Sequence, residues 1–132
     1  MARGSMPVWY PTAGDVEAIH LRVIEETGGD HGVLNRNTIS AAVSRARWGP
    51  FPEEPDLALR AAFLVRGLVV EHPFADGNKR TGFEALDVFL ARNGARLHVG
   101  ADEAIAFMLA LAEGRYEVEE VAAWVRAHLA NL

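Results

Sequence analysis

Between His72 and Gly82 the chain reads HPFADGNKRTG, and His72, Asp76, Asn78, Lys79 and Arg80 form the densest polar cluster in the sequence. An imidazole is the side chain whose charge changes nearest neutral pH, so His72 is suited to take a proton from an attacking hydroxyl. Asp76, the one carboxylate of the stretch, is a hard oxygen ligand of the kind that binds a magnesium ion also held by phosphates. Gly77 permits close backbone approach, and a helix that starts after it offers unpaired N–H groups and the positive end of its dipole to an anion. Lys79 adds a compact point charge, and Arg80 a planar fork that grips two phosphate oxygens. Lys79 is also the only lysine among thirteen basic residues. Together these groups suit transfer of a phosphorus-bearing group to an alcohol, a reaction that needs positioning and charge stabilisation more than covalent catalysis.

A purely structural account covers part of the same stretch. Pro73 can end one helix, Asp76-Gly77 can make a turn, and Asp76 can cap the helix that follows. That account does not require an imidazole, an amide and two adjacent cations at one turn.

The elements that position this turn can be read from spacing. Thr12 and Asp15 form an N-terminal capping pattern, and Val16, Ile19, Val23 and Ile24 recur at helical intervals, so the first helix runs from about Ala13 to Glu26 and stops at Gly28-Gly29. Asn37 or Thr38 is expected to cap a second helix, to about Arg45, with Ile39, Ala42 and Val43 inward. Prolines at 50, 52 and 55 exclude helix across Trp48 to Pro55, leaving a loop or a short extended flap. Asp56 opens a third helix, apolar around most of its circumference and therefore central, which must end near His72 because the residue before Pro73 is pushed out of the helical region. A fourth helix carries Phe83, Leu86, Phe89 and Leu90 and stops at Asn93-Gly94. Two more follow, Asp102 to Ala112 and Val118 to Leu129. No segment has the period-two alternation of a strand, and the expected fold is an all-α bundle of about six helices with the polar turn between helices three and four.

Composition narrows the function classes. A length of 132 residues, half of them apolar, fits one folded domain, read as 8–132 behind a tail, 1–7, whose MARGSM start carries no functional weight. The absence of cysteine excludes disulfides, thiolate metal sites and a cysteine nucleophile. A net charge of −5 argues against direct nucleic-acid binding. The longest apolar run, Leu64 to Val70, contains Arg66 and falls far short of a membrane span, so the expected location is the cytoplasm. The other histidines do not pair at metal-ligand spacings: His20 is expected to be packed and hydrogen-bonded, and His31 is the one placed to approach a substrate. Trp48 and Phe51 either dock a partner or seal the edge of the core. The acids Glu117, Glu119 and Glu120 suit the start of a helix.

HPFADGNKRTG resembles the signature of the Fic/Doc family, H-x-F-x-D/E-x-N with K-R or G-R after the asparagine. The likeness extends upstream through Ala18 to His20, Gly28-Gly29, Gly32, Leu34 and ISAAV, and downstream to FLARNG, Phe89 to Gly94. Adenylyltransferases of the Fic type carry a second glycine after the motif asparagine and a second arginine three residues beyond the first; Lys79 and Phe83 stand there, which places the resemblance on the Doc (death-on-curing) side.

The resemblance implies a toxin of a type II toxin-antitoxin system, a protein kinase that moves the γ-phosphate of ATP to a threonine of elongation factor Tu and so halts translation. It makes His72 the base, Asp76 the magnesium ligand, Gly77 and Asn78 the lining of an anion hole, and Lys79 and Arg80 the groups on the nucleotide phosphates, with Phe74 as a core anchor. No internal inhibitory S/T-x-x-x-E-G/N helix is present in the sequence, so the implied restraint is a small antitoxin of the prevents-host-death type. AMP transfer on the same scaffold, and an inactive bundle that serves only as a binding partner, are the alternatives.

Overall fold

A computed structural model describes residues 7–132, so the expected tail falls almost wholly outside the described residues. Six helices and a two-stranded sheet follow in the order α1 (Ala13–Thr27), α2 (Arg36–Trp48), α3 (Leu57–Val70), α4 (Asn78–Arg92), β1 (Ala95–Leu97), α5 (Ala101–Ala112), α6 (Val118–His128) and β2 (Leu129–Asn131). The all-α bundle expected from the sequence is the fold of the chain, and the polar turn lies between α3 and α4.

The helix starts are fixed by side chains that take up otherwise orphaned backbone donors. Thr12 Oγ1 accepts from the Asp15 amide at 3.1 Å while the Asp15 carboxylate accepts from the Thr12 amide at 2.8 Å, the reciprocal cap that the sequence announces. Asn35, not Asn37 or Thr38, caps α2, its Oδ1 accepting from the Thr38 amide at 3.2 Å. This helix also runs past Arg45 to Trp48, because the proline that stops it is Pro50 and helix is compatible with the residues before Gly49. Asp56 caps α3 through the Leu59 amide at 2.9 Å and takes a two-pronged hydrogen bond from Arg126 of α6 at 2.6 and 3.1 Å.

Helix α3 is the axis of the bundle. Ala58, Ala61, Ala62, Leu64, Val65, Leu68 and Val69 are all buried, and the helix packs against α2, α4, α5 and α6. Each fully buried leucine or valine there contributes about 1.5–3 kcal/mol relative to exposure. It ends at Val70, a turn fragment earlier than Pro73 alone demands. Gly82 of α4 faces Val69 so closely that a Cβ would collide with the valine side chain, which sets how near α4 lies to α3.

The sheet is a departure from the strandless expectation. Ala95 to Leu97 pair antiparallel with Asn131 to Leu129, and three residues per strand are too few to show alternation in a sequence. Pairing shortens α6 by one residue, to His128, and holds the C-terminus against the end of α4. Asn93 there accepts from the Trp9 amide at 2.8 Å and donates to the Trp9 and Phe89 carbonyls at 3.0 and 2.8 Å, tying the N-terminal segment to the same corner. Among the described residues no helix is long and apolar enough to cross a membrane.

Candidate active site

The turn from α3 to α4 is held from three sides. Phe74 is 1% exposed, and its ring stacks on that of His20 from α1 at 3.8 Å between centroids. His20, itself buried, places Nε2 2.9 Å from the Asp76 carbonyl, so the nitrogen facing that oxygen carries the proton. The second side is the α1–α2 loop: Leu34 and Asn35 donate to the Pro73 carbonyl at 2.8 and 3.1 Å, Ala75 donates to Gly32 at 2.9 Å, and Val33 bridges Phe74. Asn78 closes the third, its Oδ1 accepting from the Phe74 amide at 3.0 Å and its Nδ2 donating to the Phe74 carbonyl at 2.9 Å. The expected packing roles of Phe74 and His20 are both observed. His31 is exposed in the loop that braces the turn.

His72 is the one described non-glycine residue with positive φ, at 48°, and its side chain is exposed and has no partner among the described residues. Left-handed backbone at a residue with a Cβ costs of order 1 kcal/mol and survives where the surroundings over-determine it, here Pro73 and the pinned Phe74. The result is an imidazole standing out from a rigid turn.

Asp76 does not cap α4. Its Oδ2 accepts from the Asp30 amide at 2.7 Å, and Gly29 approaches so closely that a Cβ there would lie 3.1 Å from that of Asp76. One carboxylate oxygen is thus occupied and the other is free to hold a ligand. Gly77, at φ 79°, is the N-cap and supplies no side-chain acceptor, so the first amides of α4, at Asn78, Lys79 and Arg80, remain uncapped. The Asn78 amide group is fully engaged with Phe74, which leaves only its backbone N–H for an anion. Lys79 is exposed and makes no ion pair among the described residues. Arg80 is steadied by Glu84 at 3.1 Å and more loosely by Glu26 at 3.9 Å.

Beside this helix start lies a hollow of about 700 Å³ between α4, β1 and α5, lined by Gly77, Asn78, Lys79 and Arg80 at one end and by Phe83, Val99, Ile105 and Met108 further along. His72 and Asp76 do not line it. The structure therefore separates the six residues into a mouth, Gly77 to Arg80, and a pair on the turn outside it. In the wall, desolvation and then the neighbouring Glu84 push the Asp87 carboxyl up to about 6. Among the described residues no three His, Cys, Asp or Glu side chains cluster as a metal cage. A single exposed carboxylate fits a magnesium ion that is carried in with phosphates and keeps most of its waters.

Sequence reasoning took Gly28-Gly29 as a helix stop and part of the family likeness and missed its close approach to Asp76, and it missed Asp30, Glu26, Glu84 and Asp87. The helix carboxylates resembled ordinary solvated charges, and Asp30 acts through its backbone amide.

Residues 10–90 match the family described as Fic/DOC family. The chain is also 35% identical over 77 residues to a protein named Toxin Doc from Mycolicibacterium smegmatis (strain ATCC 700084 / mc(2)155), a stretch that covers 57% of this chain and 59% of that relative. The matched segment begins at Tyr10, just before α1, includes the whole three-sided clamp on the motif turn and ends within α4. With signature, helical order and clamp in agreement, the chain belongs to the Fic/DOC family.

Proposed function

We propose that this protein is the toxin of a toxin-antitoxin pair and a protein kinase, transferring the γ-phosphate of ATP to a threonine hydroxyl of a translation factor such as elongation factor Tu. The observation that carries the reading is Lys79: an ammonium without an ion pair at the mouth of the hollow, beside the uncapped amides of α4. His72 takes the proton from the target hydroxyl as its oxygen bonds to the γ-phosphorus, and the bond to the bridging oxygen breaks with ADP keeping the electron pair. Lys79, Arg80 and the backbone N–H groups of Gly77 and Asn78 stabilise the charge that accumulates on the phosphates. Asp76 would hold the magnesium ion that accompanies ATP and neutralise part of that charge. Glu84 and Glu26 keep the Arg80 fork extended until phosphate replaces them.

Restraint comes, in this reading, from a small antitoxin of the prevents-host-death type. Ile105 and Leu109, 59% and 50% exposed and four residues apart on α5, border the hollow and suit the apolar anchors of an inserted helix. A helix seated there would cover the mouth at Lys79 and Arg80.

The direct test of the base is His72→Ala. The exposed imidazole supports no packing, so the variant should melt like wild type and lose transfer and toxicity; near wild-type transfer would remove His72 from the mechanism.

A further inference from the structure

Helix α2 holds Arg36, Arg45 and Arg47 and no carboxylate, in a chain of net charge −5. Arg36 is paired with Glu17 at 2.6 Å, whereas Arg45 and Arg47 make no ion pair among the described residues. Cations in a last helical turn suit the dipole, which accounts for charge at this position. It does not account for what surrounds Arg47. The guanidinium lies 5.3 Å from the centroid of the Tyr10 ring and 4.9 Å from that of Trp48, within cation–π range of both. Contact with two rings restrains the guanidinium, and its N–H groups make no hydrogen bond among the described residues.

Those groups border a hollow of about 300 Å³, on the lower end of sites that take small ligands, which Ser40, Val43 and Ser44 also line. The two serine hydroxyls are without hydrogen-bond partners among the described residues. Trp48 is 70% exposed, whereas Phe51 is half-buried and sits edge-on to Phe63 at 5.5 Å. A large indole left in solvent beside a pre-oriented arginine has the composition of an interface anchor.

We propose that this hollow docks an acidic segment of a protein partner, with a Glu or Asp carboxylate held by Arg47 and the two serines and a neighbouring apolar side chain laid on Trp48 and Val43. Charge complementarity selects this occupant: two unpaired arginines face outward from a helix without acids, and a carboxylate matches the guanidinium fork in both planarity and spacing. A nucleic acid fits poorly, because Arg47 is the one cation lining the hollow and binding to a phosphate backbone rests on clustered Lys and Arg. The surface stands on its own geometry and does not depend on the phosphoryl-transfer reading.

The test is titration of the full chain with an acetylated, amidated peptide of alternating glutamate and leucine, followed by tryptophan fluorescence, with Trp48→Phe assigning the signal. A saturable change is expected, lost in Trp48→Phe and weakened roughly tenfold by Arg47→Gln, as removal of one charge-assisted pair implies. Ser44→Asp should weaken it similarly by placing a like charge in the hollow, and both variants should melt within a few degrees of wild type. The lysine–leucine counterpart should give no response. Absence of saturation, an equal response to the lysine peptide, or unchanged affinity in a folded Arg47→Gln and Ser44→Asp would overturn the proposal. So would an oligothymidylate that saturates the same Trp48 signal at lower concentration than the acidic peptide.

Discussion

Each residue of the motif is assigned by what occupies its polar atoms. Asn78 spends its side chain on Phe74, and Asp76 gives one oxygen to Asp30, so both build the turn as well as face it. Lys79 builds nothing, which makes its removal a clean probe of charge. Lys79→Ala should leave the melting temperature unchanged and lower turnover by roughly 100-fold, the scale of one lost stabilising charge in the transition state, with Lys79→Arg recovering part of it. Steady-state rates beside thermal melts would check this. Asp87 predicts a pH effect. Its folded carboxyl titrates at about 6 against an ordinary 3.8, so the group favours the folded state below about 4 and that contribution is lost as pH rises through 6. Asp87→Asn should therefore stabilise the protein at pH 7.5, by about 1 kcal/mol once its half-exposed position is allowed for, and change little at pH 4. Urea titrations at the two pH values measure the difference.

At the scale of elements, caps and punctuation made most of the helices legible. Thr12-Asp15 and Asp56 act as expected, and the apolar run of α3 is the centre of the bundle. Two kinds of feature were not legible. Short pairings such as Ala95–Leu97 with Leu129–Asn131 leave no pattern in three residues, and long-range contacts such as Asp30 to Asp76 link positions 46 apart in the chain. Asn35 outcompeted Asn37 and Thr38 as the cap of α2 because its amide and the Leu34 amide also dock on Pro73, a tertiary contact that propensity does not contain. Gly82, the last residue of the motif, is explained by packing: it lets α4 lie against Val69 of α3. Gly82→Ala should gain about 1 kcal/mol of helix propensity and lose about 1–3 to overpacking, a net destabilisation that displaces the turn it helps to position. Denaturant midpoints together with transfer assays would show both losses; a variant more stable than wild type would contradict the close approach.

In the whole molecule, a rigid turn presents His72 outside the hollow, and the cationic mouth at the start of α4 forms one end of that hollow. The imidazole, the carboxylate and the two cations were recognisable as a set from sequence because no turn needs all four. Their division into a turn pair and a mouth was not, since it follows from the clamp by His20, the α1–α2 loop and Asn78. In the proposed reaction this arrangement moves the terminal phosphoryl group, and Lys79 in place of glycine is its pivot. The most direct measurement incubates wild type and Lys79→Gly with γ-labelled or α-labelled ATP and purified elongation factor Tu, and follows label on the protein. Wild type is predicted to transfer the γ-label alone and Lys79→Gly to lose most of that transfer. Appearance of the α-label on the target of wild type, or a Lys79→Gly variant that phosphorylates as fast as wild type, would contradict it.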